Sequence, residues 1–214
     1  MLDVSDDFYF TKIDKSGTNN LSNIAAISLT GRSPKIRFHK SSGKGIVFNI
    51  RKSAAEPHVY MISTDGGTSW TGKTYAYTDA NELSENYDIQ DAYSFDGDNI
   101  ILAGGSFTLS SFFIDKAFIL KTTDGGLNWT KIDVDAAKGF NSLTFIDNDE
   151  GFAAVNQVSA SSESKLFHTG DSGVTWSPVP DITNPEGIVR TQFFGTYYGI
   201  AVGHKGTIFR YSIN

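Results

Sequence analysis

Three stretches of this chain repeat one eight-residue pattern: Ser63-Thr-Asp65-Gly-Gly67-Thr-Ser-Trp70, Thr122-Thr-Asp124-Gly-Gly126-Leu-Asn-Trp129 and Thr169-Gly-Asp171-Ser-Gly173-Val-Thr-Trp176. A hydroxyl residue opens each copy, aspartate stands third, glycine fifth and tryptophan eighth. The protein has three tryptophans, and all of them close a copy. Such recurrence within 214 residues marks a repeat architecture, which constrains the fold before any local propensity is consulted. The surroundings repeat as well. A β-rich run precedes each motif (HVYMIS, KAFILKT, SKLFHT) and a shorter one follows it (TSWTGKTYAY, LNWTKIDV, VTWSPV), so each motif reads as the loop of a β-hairpin. Two further short runs lie upstream of each hairpin: KIRFHK and GIVFNI, DIQDAYSF and NIILAGG, FNSLTFI and GFAAVN. A fourth pair, RTQFFG and GIAVGH, leads into GTIFRYSIN with no motif after it. Helical periodicity is absent, and each unit is four short strands.

Spacing gives the number of units. Trp70 to Trp129 is 59 residues and Trp129 to Trp176 is 47. Phe10-Thr-Lys-Ile13 matches Trp129-Thr-Lys-Ile132 apart from the aromatic, which makes Phe10 a fourth equivalent position, 60 residues before Trp70 and 48 after Trp176 when the two termini are joined. Four intervals account for the whole chain. The expected fold is therefore an all-β propeller of four four-stranded blades, residues 34–75, 88–134, 139–179 and 187–214, with the N-terminal strand 7–13 closing the last blade, in a single domain over 1–214. Closure is expected because an open array leaves an unpaired edge and an uncovered apolar face at its ends. A fragment of a larger ring is the alternative.

Composition narrows the functional classes. With 18 Lys+Arg against 24 Asp+Glu the net charge is -6, and no basic run exists to hold phosphates, so nucleic acid is not an expected partner. The absence of cysteine removes disulfides, thiolate metal sites and thiol nucleophiles. Apolar runs are only a few residues long, far short of the ~20 that span a bilayer. The opening MLDVSDDFYF is acidic and shows no signal peptide, while lack of cysteine fits an exported bacterial protein as well as a cytosolic one; an extracellular or periplasmic location and a monomer are the expectations.

The motif is that of the Asp-box, or bacterial neuraminidase repeat. Its residues suit a turn: Asp65, Asp124 and Asp171 can accept backbone amides of their own loop, Gly67, Gly126 and Gly173 allow positive φ, Ser63, Thr122 and Thr169 can bond across the loop, and Trp70, Trp129 and Trp176 can bury between blades. These twelve residues are assigned a structural role rather than catalysis or calcium binding. The chain most resembles photosystem II stability/assembly factor-like propellers, through Phe145-Ile-Asp-Asn-Asp-Glu-Gly151-Phe-Ala-Ala-Val155 and Phe194-Gly-Thr-Tyr-Tyr-Gly199-Ile-Ala-Val-Gly203-His-Lys-Gly-Thr-Ile-Phe209. It departs from them in blade number, four against the seven typical of that family. Asp-boxes also occur in sialidases, xyloglucanases and sortilin-type receptors. Sialidases need an arginine triad and a Phe/Tyr-Arg-Ile-Pro segment; this chain has Arg32, Arg37, Arg51, Arg190 and Arg210 and no such segment.

Other constellations are weak. Glu82, Glu85 and Asp88, with Asp115 or Glu186, could supply a glycosidase pair, and the turns Asp96-Gly-Asp98-Asn99 and Asp147-Asn-Asp-Glu150 offer oxygens to a cation, but ordinary turns explain them better. His39, His58, His168 and His204 show no ligand spacing, so no metal site and no cofactor are expected. Binding is expected on the rim that carries the connections between blades and between second and third strands, with Arg51, Tyr77, Tyr87, Phe107, Phe112 and His204 as its candidates. Phe107 and Phe112 stand out in the apolar loop Ser106–Phe113. The expected function is a non-catalytic module for a protein or glycan partner, with a carbohydrate-active hydrolase as the alternative.

Overall fold

A computed structural model describes residues 8–9, 26–27, 32–39, 41–50, 59–74, 87–107, 114–155, 166–180 and 187–212. The chain is all-β, a propeller of four successive antiparallel blade sheets. Strands β1 (Phe8–Tyr9) and β2 (Ala26–Ile27) pair with each other. The first blade is β3 (Arg32–Phe38), β4 (Gly45–Ile50), β5 (Val59–Ser63) and β6 (Thr71–Thr74) in spatial order. The second is β7 (Tyr87–Ser94), β8 (Ile100–Phe107), β9 (Ile114–Thr122) and β10 (Thr130–Val134), and the third is β11 (Ser142–Phe145), β12 (Gly151–Ala154), β13 (Leu166–Thr169) and β14 (Ser177–Pro178). The fourth has three strands, β15 (Ile188–Phe194), β16 (Tyr198–Gly203) and β17 (Ile208–Ser212), with a 3-10 turn, His204–Gly206, between the last two. Among the described residues no helix is long and apolar enough to cross a membrane.

Strand Phe8–Tyr9 pairs with Ala26–Ile27, and among the described residues β17 is the outermost strand of the last sheet; residues 10–13 of the expected closing strand lie outside the described residues.

Contacts gather the chain into two compact units, residues 1–76, 94–100 and 122–129 in one and 77–93, 101–121 and 130–214 in the other. In the first, Ile46, Val47, Phe48 and Tyr60 are buried. In the second, one cluster joins the third and fourth blades: Phe152, Ala154 and Leu166 from the third, Ile188 and Ala201 from the fourth, flanked by Phe193 and Phe209. A cross-strand pair recurs in three blades. Phe38 faces Gly45, Phe145 faces Gly151 and Phe193 faces Gly199. A Cβ on each glycine would stand 2.5 to 2.6 Å from the ring, so the missing side chain is what lets the aromatic lie flat on the strand.

The inner strands of the second unit are tied by a repeated bond. Asp91 lies five residues before the turn aspartate Asp96, as Ser142 does before Asp147. The Leu143 N–H donates to Asp91 Oδ2 at 3.0 Å, and the Thr191 N–H donates to Ser142 Oγ at 3.1 Å. In each case a side-chain oxygen of one blade receives a backbone donor of the next. Arg190 occupies the corresponding place in the fourth blade, and a guanidinium has no acceptor to offer.

Candidate functional site

The three Asp-boxes share one geometry. Ser63 Oγ, Thr122 Oγ1 and Thr169 Oγ1 donate to Asp65, Asp124 and Asp171 at 2.9, 2.7 and 2.8 Å. The same hydroxyls accept the N–H groups of Gly67, Gly126 and Gly173 at 2.9, 3.0 and 2.9 Å. Each carboxylate also accepts two backbone N–H groups, those of Thr68 and Ser69, Leu127 and Asn128, Val174 and Thr175. Its second oxygen accepts from the side chain of Ser69, Asn128 or Thr175. The Ser69 hydroxyl holds Asp65 at a pKa of about 2, and the Asn128 N–H does the same for Asp124. Burial works against Asp171, yet the Thr175 hydroxyl and N–H still bring it to about 2. A carboxylate so engaged is neither a proton donor near neutral pH nor an open cation ligand.

The motif glycines sit at φ 83°, 90° and 78°, where a side chain is strained. The preceding residue is also left-handed, and in the third box it is Ser172 at φ 58°. That residue makes the turn-to-turn bond of its blade. Gly66, Gly125 and Ser172 donate their N–H to the carbonyls of Gly43, Asp98 and Asp149, each 3.0 Å away in the turn between the blade's first two strands. Ser172 Oγ adds a bond to Asp149 at 2.9 Å, and its carbonyl accepts from Lys121 Nζ at 2.6 Å. Asp-box and first turn thus share one end of each of the first three blades. The acidic turns nominated as cation ligands are self-contained: Asp96 accepts the N–H of Asp98 and Asn99, Asp147 those of Asp149 and Glu150. Among the described residues no cluster of metal-ligating side chains occurs.

The indole N–H groups of the three boxes bond in two ways. Trp70 and Trp176 donate Nε1–H to the carbonyls of Gly67 and Gly173 of their own loops. Trp129 donates instead to the Tyr60 hydroxyl of the first blade at 3.1 Å, and Tyr60 passes a proton donor on to the Gly126 carbonyl.

The antiparallel order puts the strand ends Ile50 and Val59, Phe107 and Ile114, and Ala154 and Leu166, with the turn His204–Gly206, at the opposite end of the blades from the Asp-boxes. Of the nominated binding residues, His204 is exposed in that turn. Tyr87 begins β7 and Phe107 ends β8, which places their backbones at the same end. Arg51, Tyr77 and Phe112 lie outside the described residues, as do Glu82, Glu85 and Glu186.

Sequence reasoning missed the outward face of the fourth blade. Cross-strand register puts Arg190, Val202 and Ile208 in one row and Gln192, Ile200 and Arg210 in the next, all exposed. Phe194 and Tyr198 extend the face, and the Arg210 guanidinium stands 5.3 Å from the Tyr198 ring centre. On the other face a cavity of about 110 Å³ opens between the third and fourth blades, lined by Leu166, Val179, Phe193, Phe209 and Tyr211 among others. The signal was in β17 itself. Its run Ile208-Phe-Arg210-Tyr puts a charge on one face, unlike the Ala117-Phe-Ile-Leu120 run of β9, buried on both faces.

These features define an Asp-box-type β-propeller, and solved structures agree on the fold. YCF48 from Cyanidioschyzon merolae superposes with a TM-score of 0.58 at 16% identity over 86% of this chain and 52% of its own. The GH74 enzyme of Niastella koreensis gives 0.56 at 19% identity over 83% and 27%. NanB in complex with Optactamide gives 0.52 at 15% identity over 80% and 27%. This chain therefore spans about half of the first and about a quarter of the other two. No family model and no curated protein sequence matches it.

Proposed function

We propose that this chain is a non-catalytic interaction module that binds a protein or glycan at the end of the blades carrying the long connections. One observation carries the reading. The three carboxylates that recur with the fold are fully taken up by their own loops, so the repeat supplies a scaffold, and what varies from blade to blade is the length and composition of the connections at the other end. Arg51, Tyr77, Tyr87, Phe107, Phe112 and His204 are the contacts at that end. Aromatic and arginine side chains there would supply the anchoring area that interfaces concentrate.

Glycan arrays and pull-downs with the purified chain identify the ligand, and alanine substitutions at the six positions then test the site. Loss of binding in at least two variants that melt as the parent does is the expected result; unchanged binding in all six refutes the assignment. A screen with chromogenic glycosides covers the hydrolase reading, and turnover there would replace the proposal.

A further inference from the structure

Two of the three Asp-boxes place glycine directly after the aspartate, Asp65–Gly66 and Asp124–Gly125, and the third places Ser172 after Asp171. The turn favours that choice. Gly66 and Gly125 sit at φ 73° and 70°, a left-handed backbone that glycine adopts without strain, and Ser172 holds the same region at φ 58°. Glycine also brings a chemical liability. With no Cβ beside it, its amide nitrogen can approach the Cγ of the preceding aspartate closely enough to close a five-membered succinimide.

In the folded box both reacting groups are engaged. The Gly66 N–H donates to the Gly43 carbonyl and the Gly125 N–H to the Asp98 carbonyl, each at 3.0 Å. Asp65 Oδ1 accepts the N–H groups of Thr68 and Ser69, both at 2.9 Å, and Asp124 Oδ1 those of Leu127 and Asn128 at 2.9 and 3.0 Å. Each carboxylate is thereby held against residues three and four places further on. The bonds from Ser69 and Asn128 also keep the two carboxyls ionised down to about pH 2, so the neutral acid, whose hydroxyl leaves as water, is scarce.

We propose that Asp65 and Asp124 are latent isoaspartate-forming sites, unreactive in the closed box and self-modifying when a box opens, so that the motif which folds each hairpin also records its opening covalently. The glycine nitrogen forms a bond to Cγ, and its proton leaves with the carboxyl hydroxyl as water. Water then adds across one of the two C–N bonds of the succinimide. Cleavage on the Cα-carbonyl side leaves the chain running through Cγ as isoaspartate, an isomer of the starting protein, with no oxidant or cofactor consumed. Reclosure is then barred, because the backbone is one carbon longer inside an eight-residue loop and the free carboxylate has moved to Cα, away from the donors that held it. Asp171 is the internal comparison: Ser172 makes the same turn-to-turn bond, to the Asp149 carbonyl, but its side chain hinders ring closure. None of the residues assigned to the connection end takes part.

The test ages the full chain at mildly acidic pH and physiological temperature, folded and in guanidinium chloride, and then digests it with trypsin, which puts Asp65, Asp124 and Asp171 on different peptides. Isoaspartate is read by methyl transfer from S-adenosylmethionine with an isoaspartyl methyltransferase and located by electron-transfer fragmentation. The denatured chain forms it at Asp65 and Asp124 roughly tenfold or more faster than the folded chain, a ratio set by the fraction of open box, and faster there than at Asp171. Asn128→Ala removes an exposed donor to Asp124 Oδ2, and Thr122→Val removes the hydroxyl that bonds Asp124 Oδ1. Both raise the folded-state rate at Asp124 relative to that at Asp65. Equal rates in the folded and denatured chains overturn the proposal, and so does an Asp124 rate that neither variant raises relative to Asp65.

Discussion

At the scale of the residue, the Asp-box works because one hydroxyl and one carboxylate between them hold five groups of an eight-residue loop. Thr169 is buried and has two roles, donating to Asp171 and accepting from the Gly173 N–H. Thr169→Val keeps the shape and removes both, leaving a buried donor unpaired, and is expected to cost about 1–3 kcal/mol in urea unfolding. Tyr60→Phe is the corresponding change where the Trp129 N–H is relayed rather than bonded directly, and about 1 kcal/mol is expected from the same measurement. The carboxylates set a pH dependence of definite sign. Their folded pKa values, about 2, lie below the ordinary aspartate value of 3.8, so their contribution is complete at about pH 5 and is lost as pH falls toward 2. Urea midpoints measured from pH 5 down to 2 should fall mainly within that window; a midpoint flat from pH 4 to 2 contradicts the geometry.

At the scale of the element, the blades are joined by side-chain acceptors as well as by apolar packing, and the two acceptors differ in charge. Asp91 is 2% exposed and receives the N–H groups of Ala92 and Leu143, whereas Ser142 receives that of Thr191 with a neutral hydroxyl. Asp91→Ala is expected to destabilise by about 3 kcal/mol and Ser142→Ala by about 1 kcal/mol, because truncating an ionised acceptor leaves more uncompensated. Equal losses would show that the charge contributes nothing to the joint. This tie was not legible in the sequence. Hairpins and turns are local, and the spacing of Asp, Gly and Trp announces them; an Asp on an inner strand reads as a solvated polar residue until the neighbouring blade is placed beside it.

At the scale of the whole molecule, repetition of sequence does not mean repetition of environment. Phe152 and Ile200 each follow the glycine that faces a phenylalanine, Ala154 and Val202 lie two residues further on, and Leu166 and Ile208 pair with these. In the third blade the three are 4%, 0% and 7% exposed; in the fourth they are 42%, 39% and 69% exposed. The same places in the repeat are core in the third blade, where Phe152, Ala154 and Leu166 belong to the cluster shared with the fourth, and exposed in the fourth. Leu166→Ala is therefore expected to cost about 2–5 kcal/mol, through lost burial and the void it leaves, and Ile208→Ala no more than about 0.5 kcal/mol. Urea unfolding of the two variants measures the contrast. If Ile208→Ala proved as costly as Leu166→Ala, something covers this face in solution.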